Sequence, residues 1–232
     1  MSETLTQKAE KFFKAIPPIP QNIKDEFLIK VRDKVVHYKP KMEEACGVEM
    51  GNIDVADLTW YHIDSDNKKM TEAIDEANLL DKAILLAIIK PLIKPIRILH
   101  FNLVYHDIAM VYNSSTIYVP FYFVSRLEDF KAREETLDQE VVHELSHRLW
   151  EVLSGELLPR KPSDDVLKFW AEGFASYCDG KYFSDFYPEG YEAFEPDGIF
   201  KRGMERIEEL VEKHGEDIVI EIPKRWRELD GN

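Results

Sequence analysis

The stretch "EETLDQEVVHELSHRLWEVLSG" places His143, Glu144 and His147 within five positions. On an α-helix each residue advances about 100°, so two histidines four apart lie one turn apart on the same face. Imidazoles stacked this way can both reach a single zinc ion through nitrogen bonds of about 2.0–2.1 Å. Glu144 stands about 100° round from His143. It is badly placed to share the same coordination position but well placed to reach a water beside the metal. Two nitrogen ligands and one general base on a rigid rod are the parts of metal-assisted hydrolysis. Paired helical histidines can also be solvated or hydrogen-bonded to a core. Here "VVHELSHRLW" is apolar on both flanks of the pair, and buried imidazoles need partners, which favours the metal.

A catalytic zinc keeps three protein ligands and one open position, so a third ligand is expected downstream on another rigid element. Glycine at 150 with histidine at 153 is one known arrangement, but those positions hold Trp150 and Leu153. The only later histidine, His214, falls on a charged helix far along the chain. The best candidate is Glu172 in "LKFWAEGFASYCDG", whose neighbours Trp170, Phe174, Ala175 and Tyr177 mark a buried helix. A buried carboxylate is costly unless it is paired or binds a metal. A short connection makes successive helices neighbours, which lets Glu172 face the two histidines. At the exposed edge of a core helix it would have no such role.

"HELSH" followed by "WAEGFASY" resembles the gluzincin zinc metallopeptidases, and the second string looks most like their M1 aminopeptidase branch. The resemblance covers about 108–180. It implies that His143, His147 and Glu172 bind one zinc per chain and that Glu144 activates the water. It also implies that strand 108–113, with Ala109, Val111 and Asn113, is an edge strand that pairs with an extended peptide substrate. A further donor to the developing oxyanion is expected, and Tyr182, Tyr187, Tyr191 and His214 all stay open for that part. This chain departs from the branch in three ways. The gap to Glu172 is longer and holds "SGELLPRKPS", Ala171 stands where asparagine is usual, and no G-x-M-E-N string is present. The device that holds a free α-amino group is therefore missing, which favours an endopeptidase. Ser146 has no evident base partner. Tyr177 reads as packing, and Asp138 and Glu140 read as surface charges that could steady a histidine.

Behind these residues the sequence lays out an α+β organisation, and the resemblance implies a gluzincin-like (zincin) catalytic domain with a small sheet and two zinc-ligand helices, after a mostly helical N-terminal region. Residues 1–95 form that N-terminal region, packed on a metallopeptidase part over 96–232. Helices are expected at about 3–15 and 22–37, separated by "IPPIPQN". An irregular stretch with a short strand near Leu58–Ile63 follows, then a helix behind Thr71. "IRILHFNLVYHDIAMVYNSSTIYVPFYFV" changes to strand character, with strands at 108–113 and 116–120 about the "NSS" turn. Helices follow at about 134–154, from behind Ser163 to about Cys178, and at 198–214, stopping at Gly155, near Gly180 and at Gly215. Within the first of these, Leu137, Val141, Leu145, Leu149 and Val152 form an apolar stripe. The segment 181–197 reads as irregular and "DIVIEIP" as a short strand.

The chain has 232 residues, enough for a sizeable core, and a formal net charge of -14 that argues against nucleic acid or an anionic membrane as partner. Cys46 and Cys178 are its only cysteines, too few and too far apart for a disulfide framework or a zinc ribbon. The opening "MSETLTQKAEKFF" lacks the marks of a signal peptide, and "AILLAIIKPLIKPI" is too short and too interrupted to span a bilayer. A cytoplasmic protein acting on a peptide or protein substrate is expected, with its oligomeric state left open. Three other readings compete: a regulatory protease with one specific protein partner, a catalytically silent metal-binding interaction protein, and a plain structural domain with no metal.

Overall fold

Gln21–Cys46 forms one helix, α1, whose buried residues Phe27, Leu28, Val31, Val35, Tyr38, Met42 and Cys46 recur every three or four positions. It runs beyond the expected end at 37 and passes through Pro40. The proline removes one internal hydrogen bond, but Tyr38, Met42 and Cys46 carry the apolar stripe past it. Gly47, at φ 64°, ends the helix and its N–H bonds the Glu43 carbonyl. The computed structural model describes residues 20–57, 110–113, 115–119, 127–158, 165–189 and 198–229. The helices expected at 3–15 and behind Thr71, the strand expected at Leu58–Ile63, Ala109, Ser163 and Tyr191 lie outside these residues.

Among the described residues three short strands make one sheet in the order β1-β3-β2. They are β1 (Asp54–Asp57), β2 (Val111–Asn113) and β3 (Thr116–Val119). β1 runs parallel to β3, with Val55 opposite Ile117. β2 runs antiparallel to β3, with Tyr112 opposite Ile117, and the turn expected at "NSS" joins them. Ser115, at φ 66°, takes the left-handed conformation that this tight reversal demands. Among the described residues β2 is an outer strand.

The other regular elements described are helical. α2 (Leu127–Ser154) starts earlier than expected and stops at Gly155, at φ 70°. Leu137, Val141, Leu145 and Leu149 are buried as expected, and so are Val142, Trp150 and Leu153. The helix is therefore covered on more than one side, by α1, the sheet and the helices that follow. α3 (Asp165–Tyr177) leads straight into a π-helical turn, Cys178–Tyr182, and a 3-10 turn, Ser184–Phe186. α4 (Gly198–His214) packs on α3 so closely that a Cβ on Gly173 would lie 2.4 Å from the Gly203 carbonyl carbon. Two glycines are needed at that crossing.

The last element corrects the sequence reading. "DIVIEIP" is part of a helix, α5 (Ile218–Leu229), and not a strand. Its β-branched run suggested extended backbone. Packing against α2 decides otherwise, because Val219, Ile222, Pro223 and Trp226 form one buried helical stripe. The organisation is mostly helical with one small sheet. Among the described residues no helix is long and apolar enough to cross a membrane.

Candidate metal centre

Consecutive turns of α2 present His143 and His147 with ring centroids 4.9 Å apart and planes at 85°. α3, lying against α2, brings Glu172 to the pair. Glu172 Oε2 stands 3.5 Å from His143 Nε2 and 3.3 Å from His147 Nε2. Charge-assisted hydrogen bonds between such groups are shorter, about 2.7–2.9 Å. Ligand atoms about 2.0–2.1 Å from a tetrahedral zinc stand about 3.3–3.4 Å from one another. The observed separations match the second spacing. One donor atom from each of the three residues lies within 4.8 Å of the others, so the cluster could hold a metal ion. Two imidazole nitrogens and one carboxylate oxygen suit zinc.

His143 is steadied from behind. Its Nδ1–H donates to Asp179 Oδ2 at 2.5 Å, which turns Nε2 toward Glu172. Gln139 Nε2 donates to the other oxygen of Asp179 at 3.1 Å, and the Tyr187 hydroxyl donates to the Asp179 carbonyl at 2.8 Å. Sequence reasoning looked for this support in Asp138 and Glu140 and missed Asp179. Asp138 is not a solvated charge: it is buried, bonded by the Tyr38 hydroxyl at 2.6 Å and paired with Lys34 at 2.6 Å. A signal for Asp179 was present, since it follows Glu172 by seven positions and so returns to the same helix face. Among the described residues nothing bonds the buried Nδ1 of His147. Phe200, on α4, lies over His143 with ring centroids 6.3 Å apart.

Three buried or half-buried carboxylates surround two imidazoles here, and their proton affinities reflect it. Burial alone would lower the His143 pKa, but the Asp179 and Glu172 carboxylates beside it raise it well above the usual imidazole range. Burial pushes Glu172 up, and His147 and His143 outweigh it and hold the carboxyl well below the usual carboxylate range. Asp179 is raised by burial against the opposing pull of His143. Each charged group in the cluster thus shifts the proton affinity of its neighbours.

Glu144 points elsewhere on the same helix. It is buried, and its Oε2 accepts the main-chain N–H of Tyr112, on β2, at 2.7 Å. Burial raises its pKa; His147 and His143 oppose the rise and Glu172 adds to it. A carboxylate with raised proton affinity beside a candidate metal cluster is suited to accept a proton and give it back.

The remaining candidates scatter. Val111 and Asn113 flank Tyr112 on β2. The Tyr187 hydroxyl is engaged at the Asp179 carbonyl, as above. Tyr182 packs on Phe183, ring centroids 4.9 Å apart, and its surroundings are Cys46, Cys178, Glu216 and Asp217 and not the imidazole pair. His214 ends α4, exposed, about 21 Å along the axis from Phe200. The structure thus brings neither Tyr182 nor His214 to the cluster. The Ser146 hydroxyl donates to the Val142 carbonyl at 2.7 Å, which leaves it no nucleophile's role. Cys46 and Cys178 are free and buried. Set beside protein-family models, curated proteins and solved structures, the chain matches none.

Proposed function

We propose that this chain is a zinc metallopeptidase of the gluzincin type, acting as an endopeptidase on a peptide or protein substrate. His143, His147 and Glu172 hold one zinc ion, and Glu144 is the general base. The observation that carries the reading is the position of Glu172 Oε2, 3.5 Å and 3.3 Å from the two imidazole nitrogens, longer than the usual charge-assisted hydrogen bond and close to the spacing of ligands that share one zinc. When bound, zinc supplies Lewis acidity that polarises a scissile carbonyl and makes water a stronger acid.

The chain's own residues do the rest. Asp179 holds a proton on Nδ1 of His143, so Nε2 is the nitrogen that would bind the zinc. Glu144 takes a proton from the attacking water and passes it to the amine that leaves when the C–N bond breaks. β2, with Val111 and Asn113 beside Tyr112, is an outer strand among the described residues, and its outward Tyr112 N–H is held by Glu144. An intact glutamate at position 144, buried and held by a main-chain donor, has no use in a silent metal scaffold.

Metal analysis of the purified chain is expected to give about one zinc per chain, lost in His143→Ala and His147→Ala. Glu144→Gln should keep the metal and abolish cleavage of casein. Absence of stoichiometric metal after zinc loading, or full cleavage by Glu144→Gln, would refute the assignment.

A further inference from the structure

Glu151 lies two turns beyond His143 on α2 and its side chain is only 2% exposed. A carboxylate buried so deeply needs donors, and it has three. The Tyr112 hydroxyl donates to Oε2 at 2.6 Å, Arg148 Nη1 donates to the same oxygen at 3.1 Å, and the Leu158 N–H donates to Oε1 at 2.9 Å. Arg148 in turn donates through Nε to the Met50 carbonyl at 2.8 Å, and the Tyr112 hydroxyl accepts the Ser115 N–H at 3.0 Å in the β2–β3 turn. One carboxylate therefore ties together the outer strand, its turn, the loop after α1 and the exit from α2.

Tyr112 bridges two carboxylates of α2. Its hydroxyl is on Glu151, and its main-chain N–H is on Glu144. These glutamates are seven positions apart, hence within about 20° of one helix face. The Tyr112 N–H that reaches Glu144 is turned away from β3, so the backbone groups of Val111 and Asn113 are the ones turned toward it. Anchoring the hydroxyl sets the height and rotation of β2 over α2, and with them the direction of that N–H. Among the described residues no hydrogen bond reaches the other oxygen of Glu144, Oε1.

We propose that Tyr112 and Glu151 are positioning residues: their buried hydrogen bond seats the outer strand on α2 so that the Tyr112 main-chain N–H holds one oxygen of Glu144 and leaves the other for the site. This rests on the reading of Glu144 as the base.

The test uses the full-length, zinc-loaded chain and the variants Tyr112→Phe, Glu151→Gln and Glu151→Leu. In Tyr112→Phe, zinc content stays unchanged while amide exchange across 110–119 quickens about two- to tenfold. With casein-derived peptides, kcat falls about 10- to 100-fold and KM stays within about twofold, as for a misplaced base. Glu151→Gln, which keeps an oxygen for the Tyr112 hydroxyl, retains most of kcat, whereas Glu151→Leu behaves like Tyr112→Phe. Unchanged exchange in Tyr112→Phe, or a lower Tm with kcat intact, overturns the proposal. If the wild-type chain cleaves nothing, the peptidase reading fails, and the exchange rates alone still decide whether the anchor exists.

Discussion

Asp179 holds Nδ1 of His143 at 2.5 Å, so the carboxylate that orients this imidazole comes from the turn after α3 and not from the helix that carries the histidine. The same segment that supplies Glu172 also aims the imidazole that faces it. Asp179→Ala should weaken zinc binding about 10- to 100-fold, measured by competition with a chromogenic chelator. Asp179→Asn, which keeps an acceptor but loses the charge, should fall in between. Equal affinity in all three proteins would remove Asp179 from the site.

Metal removal should be visible in stability. A ligand that binds only the folded chain stabilises it by about 2.7 kcal/mol at a hundredfold excess over its dissociation constant. For a chain of this size that corresponds to a Tm shift of about 5–10 °C. Thermal melts with and without a strong chelator, and with zinc restored, test this. A Tm indifferent to both treatments is incompatible with a folded-state zinc site.

The α3–α4 crossing leaves no room for a side chain. A Cβ on Gly203 would sit 2.5 Å from the Phe169 carbonyl oxygen and 2.7 Å from the Gly173 Cα. Gly173→Ala and Gly203→Ala are each expected to cost about 1–3 kcal/mol, read from urea unfolding. Because Gly173 follows Glu172 directly, Gly173→Ala should also reduce zinc content, and wild-type metal binding in that variant would show that α3 can shift without moving its ligand.

Alkaline pH should destabilise the fold. Burial pushes Cys46 from 9.0 to about 11, Tyr112 from 10.0 to about 12 and Tyr182 from 10.0 to about 12. All three folded values lie above the unfolded ones, so their protonated forms favour the fold. Their contribution is complete below about pH 9 and is lost as pH rises through 11 to 12. Urea midpoints should fall over that window, and fall less steeply in Tyr182→Phe. Parallel curves for the two proteins would show that Tyr182 takes no part in the loss.

The legible parts of the sequence were the local ones. Gly155 and Gly215 end α2 and α4 where a left-handed residue was expected, and Tyr112 and Ile117 pair across the turn read at "NSS". The misreadings came where distant chain overrides local preference. Pro40 did not end α1, because the buried stripe resumes at Met42. Ile218 to Ile222 did not form a strand, because α2 offers a surface that suits a helical stripe.

By itself the sequence determined which groups could act: two histidines one helical turn apart, a glutamate between them, and a second glutamate within an apolar helix. Such facts depend on spacing along a single rod, and helical geometry translates spacing into direction. Only the tertiary structure decided that Glu172 reaches both imidazoles, that Asp179 stands behind His143, and that Tyr112 joins Glu144 to Glu151. Those relationships arise between elements, where the packing of whole faces sets distances that no local pattern encodes.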